Sequence, residues 1–305
     1  MDNASTDNAM GMNGQNSMEH ASKAHSDMKH GGYKKEGSFV DPMAHMNDPV
    51  QKLIDSTKHT HTAIKNGAWS DPSTWSNGKV PDDNAKVLIK KGTVVTYDQV
   101  SDARIETVSI EGNLKFATNK DTQLKVETIL NGDSGSLDIG SAGNSVAANK
   151  RARIIFTSDS AVDTKWDPKQ LSKGLVSHGS VSIHGAEKAD KLTLAGDLSK
   201  GASVLRFKES PTGWQVGDRI VVGGTTYNAR GKDSDNSRFQ DEVLTITSIQ
   251  GREVRFVNED IKSGNRNVLR FDHERSNIAG SADRLDLYVG NLTRNVTFET
   301  ENGKD

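Results

Sequence analysis

The sequence predicts an all-β protein: a right-handed parallel β-helix (a solenoid) with a small β-barrel-like insertion, behind a disordered N-terminal tail. Three observations lead there. Short strands with apolar residues on one parity follow one another with no helical stretch between them. Glycines punctuate the strand ends, where the chain must turn tightly. All seven methionines lie within residues 1–46, so the start of the chain is composed differently from the rest.

The tail, residues 1–62, comes first. Aliphatic residues are almost absent before Val50. Nothing there offsets the roughly 1–2 kcal/mol per residue that ordering a backbone costs. Six of the nine histidines fall within the first 61 residues. Met18, His20, His25, Met28 and His30 are the candidate metal ligands. Thioethers favour monovalent copper, and imidazoles accept either oxidation state. The spacing of His20, His25 and His30 sets them about 140° apart on a helix, so only a flexible segment can wrap them around one ion. Copper on the tail is one expectation; a solvated export tail is the other. His59 and His61 read as surface residues of a linker.

The folded part opens at Trp69, within a β-helical segment spanning residues 66–196. Trp69 and Trp75 have two readings. They form a stacking platform for sugar rings, or they cover the open end of the helix, since an indole buries roughly 150–250 Å². Beyond them strand centres recur at nearly regular intervals, as stacked rungs require. Val87, Ile89, Val108, Ile110, Leu114, Leu137, Ile139 and Ile155 are the expected inward positions. His178 and His184 each precede a glycine, which suggests that both stack at one corner. The role of Trp166 is open.

The barrel-like insertion spans residues 197–262. Its expected strands include 203–207, 219–222, 242–246 and 254–257, with Trp214 in its core. Closure of such strands removes exposed edges. Residues 263–305 then read as further rungs, over 285–289 and 295–298. The last has no evident cap, so the chain is expected to be incomplete as a functional unit.

The segment Trp69-Ser70-Asp71-Pro72-Ser73-Thr74-Trp75, the step Gly78-Lys79-Val80-Pro81 and the serial glycines resemble the eight-glycine (G-eight) domain. Gly185, the stretch Gly213-Trp214-Gln215-Val216-Gly217-Asp218 and Leu292-Thr293-Arg294-Asn295-Val296 fit the same pattern. The resemblance covers roughly residues 66 to 300, and the chain is read as a bacterial member. It implies an extracellular or cell-surface β-helical protein, alongside fibrocystin-like and hyaluronan-binding relatives. Polysaccharide binding or cleavage follows by analogy alone, because a fold does not fix a function.

Charge excludes one class of partner. The 39 basic and 41 acidic residues nearly cancel, whereas nucleic-acid binding needs a clustered basic surface. No apolar run approaches the roughly 20 residues of a membrane-spanning helix. No signal peptide is visible in the first residues, although the resemblance implies a secreted, periplasmic or surface location. The absence of cysteine decides nothing about compartment.

The long polar loop from Tyr227 to Gln240 holds Arg230, Lys232, Asp233, Asp235 and Arg238. Arg230 and Arg238, with Trp69 and Trp75, are the candidate ligand-binding residues. Glycoside cleavage commonly uses two carboxylates in different protonation states. Asp241, Glu242, Asp272 and Glu274 are the acidic candidates, with His273 as proton shuttle. The alternative sets Glu242 facing solvent on a strand and Asp272-His273 capping a turn. Three functions remain open: a polysaccharide module, a copper-handling surface protein, and a structural or adhesive module of a longer chain.

Overall fold

The computed structural model describes residues 48–301 except 159 and 277–281. It is mostly β, with parallel and antiparallel sheets. The described chain begins with an α-helix, Pro49–Ser56. Asp48 caps it by accepting the Val50 N–H at 2.8 Å, and Pro49 occupies the first turn, where its missing donor costs nothing. Val50, Leu53 and Ile54 share one face and bury against Leu130. Each such side chain contributes about 1.5–3 kcal/mol on burial. The expectation of disorder through residue 62 is therefore corrected over residues 48–62. An amphipathic turn needs few apolar residues when a preformed sheet covers them.

Two parallel sheets follow, and the chain alternates between them as far as residue 156. One stacks β1 (His61–Thr62), β3 (Lys86–Ile89), β5 (Val100–Ile110), β7 (Thr122–Asn131), β9 (Ala152–Phe156) and β18 (Val296–Thr300). The second half of β7 also pairs with β10 (Leu175–Ser177). The other stacks β2 (Gly67–Ala68), β4 (Val94–Tyr97), β6 (Asn113–Phe116), β8 (Ser136–Ile139) and β11 (Ser180–Ile183). Registry aligns like with like. Val87 pairs with Val108 and Val108 with Ile129, while Val95, Leu114 and Leu137 align in the other sheet. These columns form one core.

Seven of the expected inward positions lie in that core, but Ile155 does not. Ile154 and Ala152 face it, and Ile155 shares its register position with Lys125 and Glu299 on the other face. The run Ile154-Ile155 hides its own parity, because both residues are apolar. At the corner before β8, a Cβ on Gly135 would lie 2.3 Å from the Ile110 carbonyl oxygen. Gly112 and Gly179 occupy the equivalent corners before β6 and β11 and meet backbone oxygens as closely. Stacked corners explain the serial glycines: each backbone rests on the one below.

Between β11 and β18 the chain builds an antiparallel sheet, in the order β12 (Lys191–Thr193), β17 (Tyr288–Asn291), β14 (Arg219–Val222), β15 (Glu242–Gln250), β16 (Glu253–Asn258) and β13 (Leu205–Arg206). A bridge between Leu194 and Phe207 joins its two end strands, so the sheet returns on itself around a second core. Trp214 belongs to that core, its Nε1 donating to the Ala189 carbonyl at 2.7 Å. The region runs from β12 to β17 rather than over 197–262. The expected rung at 285–289 contributes β17 to this sheet, and only β18 returns to the parallel stack. Alternation alone cannot say which sheet a strand joins.

Candidate functional site

The connection between β14 and β15, residues 223–241, is a long and largely exposed loop. It rests on a buried polar anchor. Glu242 opens β15, opposite Val222 of β14. Its Oε1 accepts from His273 Nε2 at 2.9 Å and the Phe271 N–H at 3.2 Å. Its Oε2 accepts from Asn258 Nδ2 at 2.5 Å and the Arg270 N–H at 2.8 Å. Glu242, Asn258 and His273 are each 0% exposed. Burial pushes the Glu242 carboxyl up, but the bonds from His273, Arg270, Asn258 and Phe271 outweigh it and hold the group below the ordinary glutamate range. His273 Nδ1 lies 2.9 Å from the Gly223 carbonyl oxygen. Its Nε2 faces the Glu242 carboxylate, so the ring is clamped between two acceptors.

Above this anchor the loop folds on itself. The Asn228 N–H donates to the Arg238 carbonyl at 2.8 Å, and Ser237 Oγ accepts the Lys232 N–H at 2.8 Å. A Cβ at Gly224 would lie 1.8 Å from the Phe239 carbonyl oxygen, so only glycine permits that approach. Arg238 spans the loop, its Nε within 3.2 Å of Asp233 Oδ1 and donating to the Gly231 carbonyl at 3.3 Å. The result is a pair of aromatic rings side by side on the outside. Tyr227 and Phe239 have centroids 5.8 Å apart and planes inclined by 52°. They remain 61% and 54% exposed. Large aromatic rings are normally buried, and a rigid loop holding two of them in water is a feature of recognition surfaces.

The sequence-expected residues distribute around this arrangement. Arg230 is exposed on the loop, and Arg238 is half-buried and tied to Asp233. Asp241 is half-buried at the loop's end, where its carbonyl accepts from Asn236 Nδ2. Asp272 caps a neighbouring turn, its Oδ1 accepting the Lys200 N–H at 2.7 Å. The structure joins Glu242 to His273 but seals both from solvent. All the lone-pair directions of Glu242 are occupied, so it meets neither the requirement of a general acid nor the solvent-facing alternative. Their position corrects the catalytic assignment to an anchoring one.

Trp69 and Trp75 are each 1% exposed. Their rings meet edge to face at 5.0 Å, Trp69 leans on Tyr97 at 5.1 Å, and Trp75 Nε1 donates to the Trp69 carbonyl at 2.8 Å. Packed this way they offer no face to a sugar. His61 is buried against the edge of Trp75 and His59 is half-buried against Ser109, so neither is a linker residue on the surface. His178 and His184 sit at opposite ends of β11 rather than at one corner. Met18, His20, His25, Met28 and His30 lie outside the described residues. Tyr227 and Phe239 were the residues missed by sequence reasoning. Their signal was two aromatics inside an otherwise polar loop.

A cleft of about 390 Å³ lies elsewhere, lined by Lys150, Arg151, Lys188, Asp218 and Arg294 among others. Much of its charge is committed to structure. Lys188 Nζ is held by both oxygens of Asp218 at 2.7 and 2.8 Å. Arg294 Nη1 donates to the Asn291 and Thr293 carbonyls. Among the described residues no helix is long and apolar enough to cross a membrane.

Known proteins agree with the motifs in the opening segment. The family model of the G8 domain matches residues 74–195. A G8 domain-containing protein of Dictyostelium discoideum is 25% identical over 209 residues, 66% of this chain and 14% of that protein. Human fibrocystin-L is 26% identical over 234 residues, 75% of this chain and 5% of its own length. Protein rliB of Dictyostelium discoideum is 30% identical over 197 residues, 62% of this chain and 16% of its own. The chain thus spans only a small part of the relatives it matches. A tailspike of the Acinetobacter baumannii bacteriophage AP22, solved with a capsular saccharide, aligns over 69% of this chain and 23% of its own, with 11% identity and a TM-score of 0.23. That likeness is too low to bear on fold or ligand. Residues 74–195 match the G8 domain, and the chain is similar to G8 domain-containing proteins and to fibrocystin-L.

Proposed function

We propose that this chain is an extracellular or cell-surface module that binds polysaccharide through the loop between β14 and β15. In this reading the two alternating parallel sheets are a right-handed β-helical stem. The antiparallel sheet is a small closed barrel that presents the loop. The observation that carries the reading is the exposed, side-by-side pair Tyr227 and Phe239 on a loop cross-tied by Arg238. Sugar rings offer an apolar C–H face that packs on an aromatic ring, and Arg230, exposed on the same loop, supplies hydrogen bonds to hydroxyl or carboxylate groups. No cleavage is assigned, because the buried Glu242 and His273 cannot touch a substrate.

The test is a glycan array probed with the full chain, followed by affinity measurement on any hit. Replacing Tyr227 and Phe239 together with alanine is expected to weaken binding at least about tenfold, equivalent to roughly 1.4 kcal/mol. An array without hits sinks the reading and leaves an adhesive or structural module. Affinity unchanged in the double variant but lost on Arg151→Ala moves the site to the cleft.

A further inference from the structure

Three side chains from distant parts of the chain converge beside the N-terminus of the helix. Asp48 offers Oδ2, 2.9 Å from His178 Nδ1. Asp133 Oδ1 lies 3.8 Å from the same nitrogen. All three donor atoms lie within 4.8 Å of one another. Metal–ligand bonds of about 2.0–2.1 Å in a tetrahedral zinc site separate neighbouring ligand atoms by about 3.3 Å. The two shorter separations here bracket that value, so small rotations bring the three atoms to a common centre.

The donors are also held in place. The other oxygen of Asp48 is fixed by the Val50 N–H, which aims Oδ2 at His178. The His178 N–H donates to the Asn131 carbonyl at 2.9 Å, and Asn131 Nδ2 binds Ser177 Oγ and the Ser180 carbonyl, both at 2.9 Å. Asp133 belongs to a turn closed by Gly135 N–H to Gly132 carbonyl at 2.8 Å. The side chains of His178 and Asp133 are 42% and 44% exposed, which leaves an entry path and room for a water as fourth ligand.

We propose that Asp48, Asp133 and His178 form a binding site for a divalent metal ion of the zinc type, which staples the helix to two successive turns of the parallel stack. One imidazole with two carboxylates suits a borderline divalent ion rather than monovalent copper, which prefers sulfur. Binding displaces the proton from Nδ1, so the metal replaces the present hydrogen bond rather than adding to it. An ion held only by the folded state raises stability by mass action. The site is independent of the saccharide loop, and failure of either leaves the other standing.

The experiment uses the full chain after treatment with a chelator, with zinc chloride as the probe and the thermal midpoint as the readout. Zinc at a large excess over its dissociation constant is expected to raise the midpoint by roughly 5 °C. His178→Ala and the isosteric Asp133→Asn are each expected to abolish the rise. Replacing His20, His25 and His30 with alanine is expected to leave it intact, which separates the folded site from any ion on the tail. A midpoint unmoved by zinc overturns the proposal. So does an equal rise in His178→Ala, or loss of the rise in the tail variant.

Discussion

Glu242 and His273 face each other at 2.9 Å with neither side chain open to solvent, one strand start bolted to a segment 31 residues away. Removing His273 leaves the buried Glu242 carboxylate without one of its donors in a low-dielectric site. His273→Ala is therefore expected to cost about 3–5 kcal/mol, measured by urea denaturation. Glu242→Gln is expected to lie in the same range, because its amide nitrogen would face donors. A loss below about 1 kcal/mol for both would show that the pair holds nothing together.

The same anchor sets a pH dependence. The folded state holds the Glu242 carboxyl below its ordinary range. Its contribution is thus fully present above the unfolded-state value and is lost as pH falls through the lower folded value. Denaturation midpoints of wild type and Glu242→Gln are expected to converge as the pH drops below about 4. A gap that stays constant down to pH 3 would contradict the assignment of the carboxylate as ionised.

Registry in the parallel stack can be tested by charge. Ile110→Asp buries an uncompensated carboxylate in the core and is expected to cost more than about 3 kcal/mol. Ile154→Asp should be as severe, and Ile155→Asp clearly milder because its neighbours in register are Lys125 and Glu299. A larger loss for Ile155→Asp than for Ile154→Asp would mean that the parity of β9 is reversed.

The corners provide a second structural test. A methyl group on Gly135 would meet the Ile110 oxygen at 2.3 Å and Asn131 Oδ1 at 2.2 Å, whereas Gly143 has nothing within 4 Å. Gly135→Ala is expected to lower stability by about 1–3 kcal/mol. Gly143→Ala should change it by less than about 0.5 kcal/mol. Chemical denaturation of both variants decides it.

Trp166 ties the helix down, its Nε1 donating to Thr57 Oγ1 at 3.2 Å while its ring packs against the cluster of Val50, Leu53, Ile54 and Leu130. Trp166→Ala is expected to accelerate amide exchange in residues 50–56 while the parallel stack keeps its protection. Uniform acceleration across the chain would show instead that the helix and stack open as one unit.

Much of the parallel stack was legible in the sequence by itself, because strand alternation is a local property. Val87, Val108 and Leu114 declare their inward parity through neighbours two positions away, and glycine before each of β6, β8 and β11 marks a corner where backbones touch. The resemblance to the G8 domain, too, could be read from motifs of contiguous residues around Trp69 and Trp75. Only the tertiary structure decided which face each residue of Ile154-Ile155 takes, and that 288–291 joins the antiparallel sheet. It alone showed Glu242 sealed, Trp69 and Trp75 buried, and Tyr227 lying against Phe239. His178 and Asp48 meet across 130 residues of sequence. Such meetings depend on how loops close and which edges pair, and those are settled by burial and hydrogen bonding summed over the whole chain.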